Sequence, residues 1–160
     1  MKIYRYLSLL TIVVSFLSFQ VITNINGKIV GVTDGDTVKL LTADLTEIKV
    51  RLEGIDCPEK NQAFGQKAKQ YASDLCFGKQ VKLQKTGEDK YGRTLGYIIL
   101  PDGRSLNKEM VRAGYAWHYK KYNQSKELAE LERQARATKK GLWADPNPIA
   151  PWDFRKMKKK

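Results

Sequence analysis

TEIKVRLEGIDCPE, residues 46–59, carries two patterns end to end. Ile48, Val50 and Leu52 alternate with Lys49, Arg51 and Glu53, the period-two signature of a strand with one apolar face, so Arg51 projects from the polar face. Pro58 has no N–H to offer a ladder and stops the strand. Beyond it the period changes. From Gln62 to Cys76, the residues Phe64, Ala68, Tyr71, Ala72, Leu75 and Cys76 fall on one helical stripe, which Gly78 closes. The stretch therefore marks a strand-to-helix junction, with Arg51, Glu53, Asp56 and Glu59 crowded onto it. Any one of these charges would be ordinary on a solvated surface.

Working outward, GKIVGVT (27–33) and DTVKLL (36–41) are β-rich and flank Asp34-Gly35, a tight-hairpin pair. KQVKLQK (79–85) and RTLGYIIL (93–100) return to strand character, and PDGR (101–104) is a turn. Ser105 is expected to cap a short helix, LNKEMVRAG, that ends at Gly114. A longer helix is predicted from Ser125 to Lys140, burying Leu128, Leu131 and Ala135. Three strands, a helix, two strands and two helices contain no βαβ repetition, which argues against a doubly wound sheet. Short strands broken by turn residues suit an α+β domain built on a small closed barrel, with helices covering it. From Asp145, prolines at 146, 148 and 151 precede FRKMKKK, so residues 145–160 are expected to form a basic flexible tail.

The 160-residue chain is enough for one modest core, and its formal net charge of +12 favours polyanionic partners, nucleic acid or an anionic membrane surface. Residues 1–23 carry Lys2 and Arg5 ahead of an uncharged run, the order of an export signal peptide. The run is almost long enough to stay as a membrane anchor, so a secreted or periplasmic protein is expected, with a membrane-anchored one facing out of the cytoplasm as the alternative. Losing residues 1–23 removes Lys2, Arg5 and no acid, leaving +10 of the +12. Cys57 and Cys76 would then meet an oxidising compartment, where a disulfide and two buried small hydrophobes are equal options. With one histidine, His118, and no CxxC, a structural zinc site is disfavoured.

Three stretches meet turns: DGDTVKL (34–40), RLEGIDCPE (51–59) and DKYGRTLGY (89–97). They offer Asp36, Asp56 and Glu59 as oxygen donors and Arg51 and Arg93 as planar forks, a kit for a hard divalent cation beside a phosphate. In order and in residue type these stretches resemble the signatures of the thermonuclease, or staphylococcal nuclease-like, family, over about Asn26 to Trp143.

The resemblance implies a five-stranded OB-type β-barrel with three helices, spanning residues 24–144, that cleaves DNA and RNA at the P–O5′ bond to leave 3′-phosphates. It implies Ca2+, held by Asp36, Asp56 and the backbone carbonyl of Cys57, where the family has threonine. Glu59 corresponds to the residue assigned as general base, and Arg51 and Arg93 to the pair that holds the scissile phosphate. Lys90 and Tyr91 correspond to residues beside the 5′-phosphate. Tyr119 and Tyr122 are candidates for the base-stacking pair, with Tyr115, Trp117 and His118 competing in AGYAWHYKKYN. DNA and RNA are the expected partners, preferably single-stranded. No obligate protein partner is implied, a monomer is expected, and membrane contact would require the N-terminal segment. The stretch between Glu59 and Gly65 is shorter than in the staphylococcal enzyme, and a Cys57–Cys76 link would tie the site's loop to the core. The competing class is a catalytically inactive nucleic-acid-binding OB module. Intact Asp36, Arg51, Asp56, Glu59 and Arg93 argue against it, because a binder gains nothing from carboxylates beside a polyanion unless a cation intervenes.

Overall fold

The computed structural model describes residues 23–158. The leader assigned to residues 1–23 lies outside them except for Thr23, which opens the first strand.

Five strands close a barrel in the order β1 (Thr23–Asp34), β2 (Thr37–Leu41), β3 (Glu47–Leu52), β6 (Thr94–Ile99), β5 (Gln80–Glu88). The long β1 makes this closure feasible. Its first half, Thr23 to Lys28, pairs with β5 and its second half, from Lys28, pairs with β2, with register shifts after Ile29 and Val32 that bend the strand from one partner to the other. The closing pair, β3 with β6, is parallel and short: Val50 faces Thr94, Arg51 faces Leu95 and Leu52 faces Gly96.

The alternation read in TEIKVRLEGI is realised. Val50 and Leu52 join Ile29, Val38, Leu40, Leu83 and Ile98 inside the barrel, all fully or almost fully buried. Helix α1 (Gly65–Cys76) lays Ala68, Ala72 and Cys76 on this core, starting three residues later than the stripe suggested. Phe64 precedes it at φ 66°, in left-handed backbone. Gly65 admits a close approach there, because a Cβ would stand 1.9 Å from the Glu59 carbonyl oxygen. Helix α2 (Leu106–Arg112) buries Leu106, Met110 and Val111. Ser105 sits at its N-cap position, yet its hydroxyl makes no capping bond and is buried without a partner. That expectation is corrected. Asn107 supplies a polar clamp instead: fully buried, it accepts from Ile98 N–H at 3.2 Å and donates to the carbonyls of Glu53 and Gly96 at 2.9 and 3.1 Å. These bonds span the parallel seam where pairing is shortest.

Two further short strands, β4 (Ile55–Asp56) and β7 (Trp117–His118), pair antiparallel beside the barrel. Helix α3 (Lys126–Ala137) is capped by Ser125, whose hydroxyl accepts from Leu128 N–H at 3.2 Å. The barrel and helices match the α+β expectation, with one more helix than the three foreseen.

The extra helix comes from the tail. Residues 145–160 were expected to be flexible, but after a 3-10 turn at Gly141–Ala144 the chain forms α4 (Pro151–Met157). Pro151 opens it, where its fixed φ and missing N–H do no harm. Its apolar residues find a second core. Ala150 and Trp152 join Trp117, Ala135, Leu142, Trp143 and Phe64, with Trp152 edge-on to Trp117 at 5.5 Å and stacked flat on Tyr119 at 5.2 Å. Gln62 adds a bond from its amide to the Ile149 carbonyl at 2.6 Å. Prolines and charge misled the sequence reading because the partners of Trp152 lie far away along the chain.

The cysteines resolve toward the second option. Both are buried and free, with no bond between them. Cys57 meets Ala68 across Gly35, whose added Cβ would lie 2.9 Å from either side chain. Cys76 stands two turns further along α1, about 12 Å from Ala68 at the helical rise. Burial pushes both thiols up, Cys76 to about 12 and Cys57 well above the ordinary range.

Candidate active site

One end of the barrel opens into a cavity of about 770 Å³, lined by residues of the β1–β2 turn, β3, β4, the loop after it, the 89–93 turn, the segment after β7, and α4. Every site residue expected from the sequence lines it: Asp36, Arg51, Asp56, Cys57, Glu59, Lys90, Tyr91, Arg93, Tyr119 and Tyr122. The cavity adds Asp34, Asp89 and Arg155.

The β1–β2 hairpin carries Asp36 into the interior. Asp34 accepts from Asp36 N–H at 3.2 Å, and Asp36 Oδ2 accepts from Cys57 N–H at 2.7 Å, tying the hairpin to the loop after β4. Strand β3 presents Arg51. Its Nη1 donates to the carbonyls of Leu52 and Ile55 at 2.9 and 2.8 Å, which fixes the plane of the guanidinium. Its Nη2 lies 3.2 Å from Asp36 Oδ2 and 3.0 Å from Asp56 Oδ1. Burial opposes the charge of Arg51, but Asp36 and Asp56 outweigh it and hold the group cationic. Strand β4 sets Asp56 opposite Trp117 of β7, so the β4–β7 pair places this carboxylate.

Asp36 and Asp56 are both almost fully buried, and their oxygens converge on one nitrogen. Burial, followed by the charge of Asp36, raises the pKa of Asp34 to about 6. Burial also raises Asp56, although Arg155 and Arg51 pull it back. Such crowding is what a divalent cation relieves. Among the described residues no group of three or more carboxylate, imidazole or thiol side chains gathers at metal-binding spacing. Two carboxylates supplemented by backbone carbonyl and water oxygens suit calcium, which accepts mixed oxygen ligands in loose geometry. The donor set fits the ion.

Arg93 reaches the cavity from a turn organised by Asp89. One oxygen of Asp89 accepts from the N–H groups of Tyr91 and Arg93 at 2.9 and 3.0 Å, and the other accepts from Arg93 Nε at 2.7 Å. The Arg93 bonds outweigh burial and hold the Asp89 carboxyl below its ordinary pKa. Lys90 and Arg93 both lie over the Tyr91 ring, at 5.0 and 5.7 Å. Tyr91 and Tyr122 are largely exposed.

The candidate aromatics differ in position. Tyr115 packs on Tyr71, Trp117 is buried against Trp143 and Trp152, and His118 is buried with its Nε2 3.3 Å from Asn123 Oδ1. Tyr119 and Tyr122, edge-to-face at 4.8 Å, line the cavity.

Sequence reading missed Arg155. Its Nη2 lies 2.8 Å from Asp56 Oδ2, and its Nη1 lies 3.3 Å from Asp56 Oδ1 and 2.7 Å from Glu59 Oε1. These bonds outweigh burial and raise its pKa. The available signal was Pro151 followed by Trp152, a helix start with an apolar anchor about one turn before the arginine.

The family described as staphylococcal nuclease homologue matches residues 49–145. A Haemophilus influenzae protein named as an uncharacterized endonuclease is 45% identical over 132 residues, covering 82% of this chain and 74% of its own. A micrococcal nuclease of Shigella flexneri is 38% identical over 157 residues, covering 92% and 90%. A staphylococcal-like nuclease of Arabidopsis thaliana is 39% identical over 113 residues, covering 71% of this chain and 35% of the plant protein.

Proposed function

This chain belongs to the staphylococcal nuclease family and is by that membership a nuclease, a premise from which we propose a calcium-dependent, sugar-nonspecific phosphodiesterase that cuts DNA and RNA at the P–O5′ bond. The observation that carries the proposal is that Asp36 and Asp56, both paired to Arg51 Nη2, line one cavity together with Glu59 and Arg93.

Asp36, Asp56 and the Cys57 carbonyl would hold the ion. Once bound, it supplies Lewis acidity toward a phosphoryl oxygen and neutralises acids that would otherwise repel the polyanion. Arg51 and Arg93 meet the charge that grows on the equatorial oxygens as phosphorus becomes five-coordinate. Glu59 orients a water and takes its proton. The water oxygen bonds to phosphorus, the P–O5′ bond breaks with its electron pair on O5′, and solvent protonates that oxygen. One product ends in a 3′-phosphate and the other begins with a 5′-hydroxyl. Lys90 and Tyr91, which line the cavity, would hold a flanking phosphate, and Tyr122 with the Tyr119 face that Trp152 leaves uncovered would stack on bases without choosing among them. A single strand threads such an enclosed site more readily than a duplex.

Action outside the cytoplasm belongs to the same reading, supported by the order of Lys2, Arg5 and the apolar run in the leader. The test is incubation with single- and double-stranded DNA and RNA, with calcium and with chelator, followed by end-group analysis. Turnover only with calcium and 3′-phosphate products are expected. Full activity in chelator, or 5′-phosphate ends, would overturn the proposal.

A further inference from the structure

We infer that Arg155 is a positioning residue for Glu59, so that the C-terminal helix α4 completes the active site. The inference rests on the role given to Glu59 above. Glu59 follows Pro58 in the loop after β4, and its side chain is 40% exposed. Its backbone is held, because its N–H donates to Gln62 Oε1 at 3.0 Å and its carbonyl accepts from Gln62 N–H at 2.8 Å. Its carboxylate is not held by that loop. Among the described residues its single ionic or hydrogen-bond partner is Arg155, at 2.7 Å.

The geometry suits orientation better than simple charge pairing. One planar guanidinium spans two carboxylates, taking both oxygens of Asp56 and one of Glu59, and so fixes the direction of Glu59 relative to Asp56. Arg155 is itself set by α4, which docks through Trp152 on Tyr119 and Trp117. Removing the Arg155 side chain therefore leaves the helix its anchor. A long carboxylate in a half-open site has several rotamers, and a base displaced by about 1 Å can lose about 100-fold in rate.

The experiment is a double-mutant cycle on single-stranded DNA with saturating calcium, using the full chain and the variants Arg155→Ala, Arg155→Lys, Glu59→Gln and the Glu59→Gln/Arg155→Ala pair. Thermal midpoints are measured alongside, and Arg155→Lys keeps stem and charge should the alanine variant fold poorly. Arg155→Ala is expected to lower kcat by roughly 10- to 100-fold with KM little changed. Arg155→Lys should recover part of the loss. In the Glu59→Gln background the removal of Arg155 should change kcat by less than about 3-fold, since with calcium saturating the bonds that remain to Asp56 orient no base. In the metal-free protein, side-chain NMR order parameters of Glu59 should fall in Arg155→Ala. An equal loss in both backgrounds, a change confined to KM, a rise in kcat or an unchanged Glu59 order parameter would each overturn the inference. An unimpaired Glu59→Gln enzyme would instead remove the role of Glu59, and the inference with it.

Discussion

Arg93 owes its direction to Asp89, whose carboxylate takes its Nε and leaves the 28%-exposed side chain at the cavity. Lysine there would keep a charge but lose the planar fork that meets two oxygens at once. Arg93→Lys is expected to lower kcat by roughly 100- to 1,000-fold while shifting the thermal midpoint little, as steady-state kinetics and calorimetry will show. Asp34 gives a pH signature. Its pKa is raised from 3.8 to about 6, so the folded state favours the neutral acid. The associated stability is fully present below the unfolded value and is lost as pH rises from about 4 to about 6, amounting to at most about 3 kcal/mol. Asp34→Asn retains an acceptor for Asp36 N–H without the charge. In chelator it should unfold at higher urea than the parent at pH 7 and converge with it at pH 4; parallel pH profiles would contradict this. Asp34 stood within a quoted motif, but only burial beside Asp36 reveals its chemistry. Conversely, the motifs displayed Asp36, Arg51, Asp56, Glu59 and Arg93 plainly, because each flanks a turn that local sequence specifies.

Among elements, the short parallel seam between β3 and β6 is where the barrel depends most on outside help, and Asn107 of α2 supplies it. Asn107→Ala would leave the Ile98 N–H and the Glu53 carbonyl buried without this partner. A loss of roughly 2–4 kcal/mol in urea unfolding is expected, and a loss below about 1 kcal/mol would show that water or a shift of α2 replaces the bonds. The five barrel strands, α1 and α3 were legible because their periods run over enough residues to stand out, whereas the two-residue β4 and β7 were not. The seam was not, since parallel pairing of distant strands leaves no local mark. Nor was α4: seven residues give barely two turns of pattern, and its order is set by Trp117 and Tyr119, contributed by a distant segment. The free cysteines teach the same lesson. Composition and compartment allowed a bridge, while the fold sets the Cys57 side chain near Ala68, two turns of α1 away from Cys76.

At the scale of the molecule, a chain of net charge +12 keeps an acid-lined pocket within a basic exterior. The exterior attracts the polyanion and the pocket receives the cation that makes its approach tolerable. The specificity constant on short single-stranded DNA should therefore fall with added NaCl, roughly linearly on logarithmic axes, at constant calcium. A flat profile would show that pocket contacts alone determine capture. Chain order adds a temporal meaning to the returning helix. Arg155 meets Asp56 and Glu59 across separations of 99 and 96 residues, so every barrel strand is synthesised before the guanidinium exists. A nascent chain can close its barrel while Glu59 still lacks its partner. The complete constellation therefore exists only in a chain that extends through residue 155 and has docked α4.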